Sequence, residues 1–175
     1  HLKKTFEKFV IIADLTKKYD CKNLIETGTH NGKTTLLSMM SGLYENIYTI
    51  EFNRYFLELS YNYLKIINGI FNIQEKTSIQ FIAGDSAEKL DEVLNSQESE
   101  IKGISGKCLI YLDAHYDGHE MQKVAPSGNC PVLKELIAIK GNNIKNHIIV
   151  VDDIDAFKGK SDGHDYPHID DVKKF

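Results

Sequence analysis

The stretch NLIETGTHNGKTT, Asn23 to Thr35, joins a short apolar run to a glycine turn that opens a helix-compatible segment. In α/β proteins such a junction brings backbone N–H groups close to a phosphate or nucleotide. Three spacings compete for it. A phosphate-cradling loop needs G-x-x-x-x-G-K-[ST]; Gly32-Lys33-Thr34 supplies its end, but the leading glycine falls on Thr27. Counting from Gly28 leaves that loop one residue short, and the N–H cradle depends on its length. The dinucleotide pattern G-x-G-x-x-G, counted from Gly28, puts His30 and Lys33 where glycines are needed. What remains is an acid, a glycine, three residues and a glycine: Glu26-Thr27-Gly28-Thr29-His30-Asn31-Gly32.

Four more apolar runs follow, at Ile47–Glu51, Ile79–Ala83, Cys108–Asp113 and His147–Val151. With Asn23–Glu26 they read as five buried strands, each too short for a helix. Helical spacing lies between them. It includes Leu36, Met40 and Leu43, then Phe56, Ser60, Tyr63, Leu64 and Ile67, with Asn68-Gly69 as a stop signal. Asp85-Ser86-Ala87-Glu88 reads as a capping box for a helix through Leu94. Pro131 suits a first helical residue, and that helix ends at Gly141. The N-terminal stretch reads as an amphipathic helix with Leu2, Phe6, Phe9, Val10 and Ala13 on one face. This alternation predicts one α/β domain over residues 1–175, a doubly wound parallel sheet in the order 3-2-1-4-5. Two long loops, Tyr116–Asn129 and Phe157–Tyr166, follow the fourth and fifth strands, where such sheets hold ligands.

Composition narrows the classes. At 175 residues, 42% hydrophobic and 26% charged, the chain suits a single globular domain. A net charge of -4 argues against a nucleic-acid partner. Arg54 is the only arginine, which argues against guanidinium clamps on phosphate. Cys21, Cys108 and Cys130 form no CxxC pair; Cys108 is expected to be a buried thiol, and the setting a reducing, cytoplasmic one. No apolar stretch approaches the roughly 20 residues of a membrane span, so no membrane partner is expected.

The Glu26–Gly32 pattern resembles motif I of the class I S-adenosylmethionine-dependent methyltransferases. Gly28 allows a tight turn beside a ligand, and the strand-end carboxylate can meet a cationic amino group. The resemblance implies a donor site built on Glu26, Gly28, Asn31, Gly32 and Thr34. Glu51, closing the second strand, can accept hydrogen bonds from both ribose hydroxyls. By the same resemblance Asp85 faces the adenine amine with Ser86 nearby, while Asp85 also reads as a helix N-cap.

Strands four and five end in Asp113-Ala114-His115 and Asp152-Asp153. Carboxylates this close call for a cation, a proton or solvent, and hard oxygen ligands suit magnesium, manganese or calcium. YLDAHYDG, CPVLKELIAI and HIIVVDDIDAF together resemble proteins related to macrocin-type sugar O-methyltransferases, over about Asn23 to Phe175. That likeness passes a metal role to Asp113, Asp152 and Asp153, for Mg2+ or Mn2+; Asp113 and His115 are the candidate catalytic residues. His115 is open to three readings: general base, metal ligand or structural histidine. His119, Glu120 and the segment Asp162–His168 read as solvated loop. The methyltransferase fold adds a helix and an antiparallel strand pair after strand five, and this chain stops about where that helix begins. The expected function is methyl transfer from S-adenosylmethionine to a small-molecule or sugar hydroxyl. The alternatives are a non-catalytic ligand-binding module of the same fold and, less well supported by spacing, a P-loop-type NTPase. Oligomeric state is left open by the sequence.

Overall fold

Every residue of β1 (Asn23–Thr27) is buried, because the strand lies in the middle of a parallel sheet covered on both faces. The computed structural model describes residues 2–71, 77–95, 104, 106–116, 118, 124–159 and 165–175. Within them α1 (Leu2–Tyr19) precedes β1, and α2 (Lys33–Ser41) leads to β2 (Asn46–Glu51). Then come α3 (Arg54–Phe71), β3 (Ser78–Ala83), α4 (Ser86–Asn95) and β4 (Cys108–Leu112). The described chain ends with α5 (Val132–Gly141), β5 (Ile148–Val151) and the short α6 (Ile169–Val172). Among the described residues the four strand pairings are parallel and the order is β3-β2-β1-β4-β5, as the sequence predicts. The order reverses at β1, so the crevice between β1 and β4 is the topological switch point.

Side chains alternate across the sheet with period two. Ile25, Tyr48, Ile110 and Leu112 pack on one face with Leu90 and Val93 of α4 and Leu136 and Ile139 of α5. Leu24, Ile47, Leu109 and Tyr111 pack on the other with Ile12 of α1, Met39 of α2 and Leu64 of α3. Cys108 is fully buried, as expected of a free thiol after a polar loop. Among the described residues, no helix is long and apolar enough to cross a membrane.

Three sequence expectations are corrected. α3 passes through Asn68-Gly69 and continues to Phe71, because Gly69 keeps helical backbone where a C-cap glycine would turn left-handed. α1 buries Ile12, Ala13 and Thr16, while Phe6 and Val10 are exposed. The buried face carries a threonine whose hydroxyl pairs with the Tyr44 hydroxyl at 2.7 Å, so hydrophobicity alone misplaces it. Pro131 is the N-cap of α5 rather than its first residue.

Gly32 caps α2 at φ +69°, and a Cβ there would lie 2.9 Å from Ser60 Cβ and 3.2 Å from Leu64 Cδ1 of α3. Gly42 has a similar φ of +62° with nothing within 4 Å of a Cβ. Gly42→Ala therefore reads the left-handed backbone cost alone, about 1 kcal/mol. Gly32→Ala adds the collision, for about 2–3 kcal/mol in all. Thermal denaturation of the two variants side by side checks the difference; equal losses would mean α3 yields without cost.

Candidate functional site

The register brings the carboxyl ends of the strands level: Thr27 of β1 lies beside Ile50 and Leu112, and Leu112 beside Val151. A cleft of about 610 Å³ opens along this edge. The turn after β1 forms its floor. Gly28 has φ +81°, and a Cβ there would strike the Asp113 carbonyl and lie 2.8 Å from Asp113 C and 3.0 Å from Ala114 Cα. Only glycine lets the two strand ends approach this closely.

The turn's N–H groups are largely committed. Gly28 and Thr29 donate to Ile50 O at 2.9 and 3.3 Å, and Gly32 to Thr29 O at 2.8 Å. His30 N donates to Glu51 Oε2 at 2.8 Å, and Asn53 N to Glu51 Oε1 at 2.8 Å. A carboxylate therefore occupies the place where a phosphate-cradling loop would offer amides. Burial raises the Glu51 pKa despite these bonds. Glu51 still faces the cleft with lone pairs to spare.

Glu26 is 2% exposed yet touches the cleft floor. Its Oε2 accepts from Thr35 Oγ1 and, at 2.9 Å, from Thr49 Oγ1. Burial pushes its pKa up to about 7, the two hydroxyls opposing. Asn31, Thr34 and Ser86 line the cleft as well. Gly32 does not; its backbone serves the packing of α2 on α3.

Asp85 also lies off the cleft, buried beneath the 124–129 loop. Its Oδ2 accepts from Ser127 N at 2.7 Å; its Oδ1 accepts from Ser127 Oγ at 2.7 Å and from Ala87 N at 3.0 Å. The N-cap role is thus present, and the same carboxylate anchors the loop that forms one wall. Glu135 of α5 is buried below, its pKa pushed up to about 7 by burial with Ser86 and Thr27 opposing.

The acids of β4 and β5 do meet, but not as a symmetrical trio. Asp152 pairs with Lys8 of α1 and accepts from the Tyr111 hydroxyl, whose oxygen also lies 3.1 Å from Asp113 Oδ2. Lys8 Nζ lies 3.6 Å from Asp153 Oδ1. His115 stands between the other two acids, Nδ1 3.5 Å from Asp113 Oδ1 and Nε2 3.2 Å from Asp153 Oδ2. Burial and the facing Asp152 raise the Asp113 pKa. Burial acts upward on Asp152 too, but Lys8 and Tyr111 outweigh it and hold Asp152 below the ordinary range. Desolvation works against the Lys8 charge, and the acids more than restore it. Among the described residues, the three groups whose ligand atoms all lie within 4.8 Å of one another are Asp113, His115 and Asp153, with Asp152 turned away to Lys8.

Nine of the twelve residues singled out from the sequence line the cleft, and Gly32, Asp85 and Asp152 do not. Three further participants are Tyr111, Lys8 and Ser127. Tyr111 sits two residues before Asp113 on the same strand face, a period-two signal that was available. Lys8 comes from a helix more than 100 residues away in sequence, and Ser127 from a loop; neither carries a local signal. His119 and Glu120 lie outside the described residues.

No family model and no curated protein sequence matches the chain. Solved structures share its fold. The SAH-bound methyltransferase PaMTH1 of Podospora anserina matches with a TM-score of 0.51 at 17% identity, over 84% of this chain and 52% of its own. A caffeoyl-CoA O-methyltransferase candidate from Staphylococcus aureus gives 0.49 at 16% identity, over 84% of this chain and 57% of its own. The chain spans a little over half the length of either. At 17% identity the likeness to PaMTH1 is one of fold alone, a doubly wound Rossmann-like sheet.

Glu26 and Glu135 hold their protons in the folded state to about pH 7, whereas an unfolded glutamate releases its own near 4.5. Between those values the folded state binds more protons, so stability falls as pH rises through the interval. The Glu26 share is on the order of 3 kcal/mol. Glu26→Gln should flatten the decline of melting temperature between about pH 5 and 7.5; a profile parallel to wild type would show Glu26 to be ionised throughout.

Proposed function

We propose that the protein transfers a methyl group from S-adenosylmethionine to a hydroxyl of a small molecule or sugar. The observation that carries this is the convergence of three strand ends on one cleft: the Gly28 turn, the Glu51 carboxylate and the Asp113–His115 pair. The cleft volume of about 610 Å³ lies within the range of small-molecule sites. The donor fits these residues chemically. Glu51 has acceptor capacity for ribose hydroxyls, and the Gly28 turn leaves no side chain between backbone and ligand. Glu26 offers a carboxyl that a ligand ammonium would ionise. When bound, S-adenosylmethionine supplies a methyl on a sulfonium, a leaving group that needs no proton.

The work left to the protein is positioning and removal of one proton. His115 is the base for the acceptor hydroxyl: one ring nitrogen stays with Asp113, and the other leaves the exposed Asp153 carboxylate to take the acceptor's proton. Lys8, Lys4 and Thr5 of α1 form the opposite rim and would face the acceptor. A P-loop NTPase is disfavoured by the same geometry, because Glu51 and Ile50 O already take the amides such a loop presents to phosphate. A non-catalytic module predicts donor binding without turnover.

A divalent cation has a second claim on Asp113, His115 and Asp153. Bound there it would lower the acceptor hydroxyl's pKa and leave His115 no free nitrogen for the proton. Melting in magnesium or manganese separates the two. A cation at a hundredfold excess over its Kd raises stability by about 2.7 kcal/mol, abolished in Asp113→Asn. No gain from either metal leaves His115 as the base.

Calorimetric titration with S-adenosylmethionine tests the donor site. Glu51→Ala should weaken binding by about 1.5–3 kcal/mol. Binding near pH 7 should release protons from Glu26, read as a dependence of the observed heat on buffer ionisation enthalpy. His115→Ala should leave donor affinity intact and lower methyl transfer by about 10²–10⁴-fold. An absence of S-adenosylmethionine binding to the wild type would overturn the proposal.

A further inference from the structure

α3 carries two apolar faces. Phe56, Leu57, Ser60 and Leu64 are buried against the sheet. Tyr55, Leu59, Tyr63, Ile66 and Ile70 are between 43% and 66% exposed. At about 100° per residue these five fall within a stripe of about 80° along the whole helix. Isolated exposed apolar residues need no explanation, but a continuous stripe of aromatic and branched side chains on 18 residues marks a contact surface.

The spacing suits a second copy of the same helix. About the midpoint between Asn62 and Tyr63, Tyr55 and Ile70 are equally distant, and so are Leu59 and Ile66. An antiparallel copy of the same helix therefore brings Tyr55 opposite Ile70 of the partner subunit and Leu59 opposite Ile66 of the partner subunit. The charges agree. Glu58 and Lys65 are exposed along one flank of the stripe, and among the described residues neither has an ion pair. In antiparallel helix pairs like flanks meet, so Glu58 faces Lys65 of the partner subunit, twice by symmetry. A parallel pair would leave both charges unmatched.

We propose that α3 is an isologous dimer interface, two copies of the chain packing their Tyr55–Ile70 stripes antiparallel about a two-fold axis near Asn62 and Tyr63. The helix is about 27 Å long, which limits the contact to the small end of specific interfaces. The dimer is accordingly weak, dissociating in the micromolar range, and independent of the methyl-transfer reading.

Sedimentation velocity on the wild-type chain from about 1 to 300 μM should show the mass rise from 19.9 kDa towards twice that value. Ile66→Glu, at an exposed position, should melt as the wild type does and weaken association at least tenfold. Glu58→Lys and Lys65→Glu should each weaken it severalfold, and the double variant should recover most of the loss. That cycle alters only exposed side chains, so it reads the interface even if Ile66→Glu disturbs folding. A wild type that stays monomeric, a dimer indifferent to Ile66→Glu, or a charge exchange without rescue overturns the proposal. Donor titration of Ile66→Glu should match wild type.

Discussion

A carboxyl group buried in the middle of a sheet must be neutral or well bonded, and Glu26 meets both conditions. Thr35 of α2 and Thr49 of β2 donate to one of its oxygens, and Thr29 of the turn pairs with Thr49 at 2.6 Å. One side chain thus links the central strand to its neighbour, to the turn between them and to the helix that follows. Burial holds a proton on it up to about pH 7. The floor of the cleft is consequently a polar network placed where an apolar residue would pack more simply, and its shape depends on every member being satisfied. That network also sets where the Gly28 turn can lie, and so how closely β1 and β4 approach.

The far side of the cleft shows how a crowd of acids is accommodated. Asp113, Asp152 and Asp153 do not share one cation symmetrically. Lys8 and Tyr111 stabilise the ionised form of Asp152, while burial and that same charge leave Asp113 reluctant to ionise. Two carboxyls on adjacent strand ends are thereby driven apart in acidity, and His115 touches the less acidic one. The ammonium that makes this division comes from α1, so the N-terminal helix belongs to the cleft as much as to the scaffold.

The sheet could be read from the sequence because doubly covered parallel strands are nearly continuous apolar runs, and LIYL and IIVV have no other plausible place. The cleft could be read at residues next to a strand end, since position along the chain then dictates position on the edge: Gly28, Glu51, Asp113, His115. Its remaining members depend on where a distant element docks. Lys8 is one lysine among several on α1, and nothing local distinguishes it. Asp85 sits at its predicted strand end, but Ser127 draws its carboxylate under a loop whose course no local pattern specifies. The buried face of α1 escapes hydrophobic periodicity for a related reason. Thr16 pairs with Tyr44, while Phe6 and Val10, more apolar, lie outside.

The two faces of α3 connect the cleft to the outer surface. On the inner side Ser60 Oγ donates to His30 O at 2.7 Å, and the Phe56 ring lies 4.4 Å from that of His30. His30 in turn donates its N–H to Glu51. The backbone of His30 is left-handed, at φ +46°, a conformation a non-glycine residue keeps only when its surroundings enforce it. α3 is therefore the clamp on the turn, and Tyr55, which begins the exposed stripe, directly precedes Phe56 in that clamp. Because the stripe and the clamp use different side chains, substitutions on the outer face remove none of the inner contacts that shape the cleft.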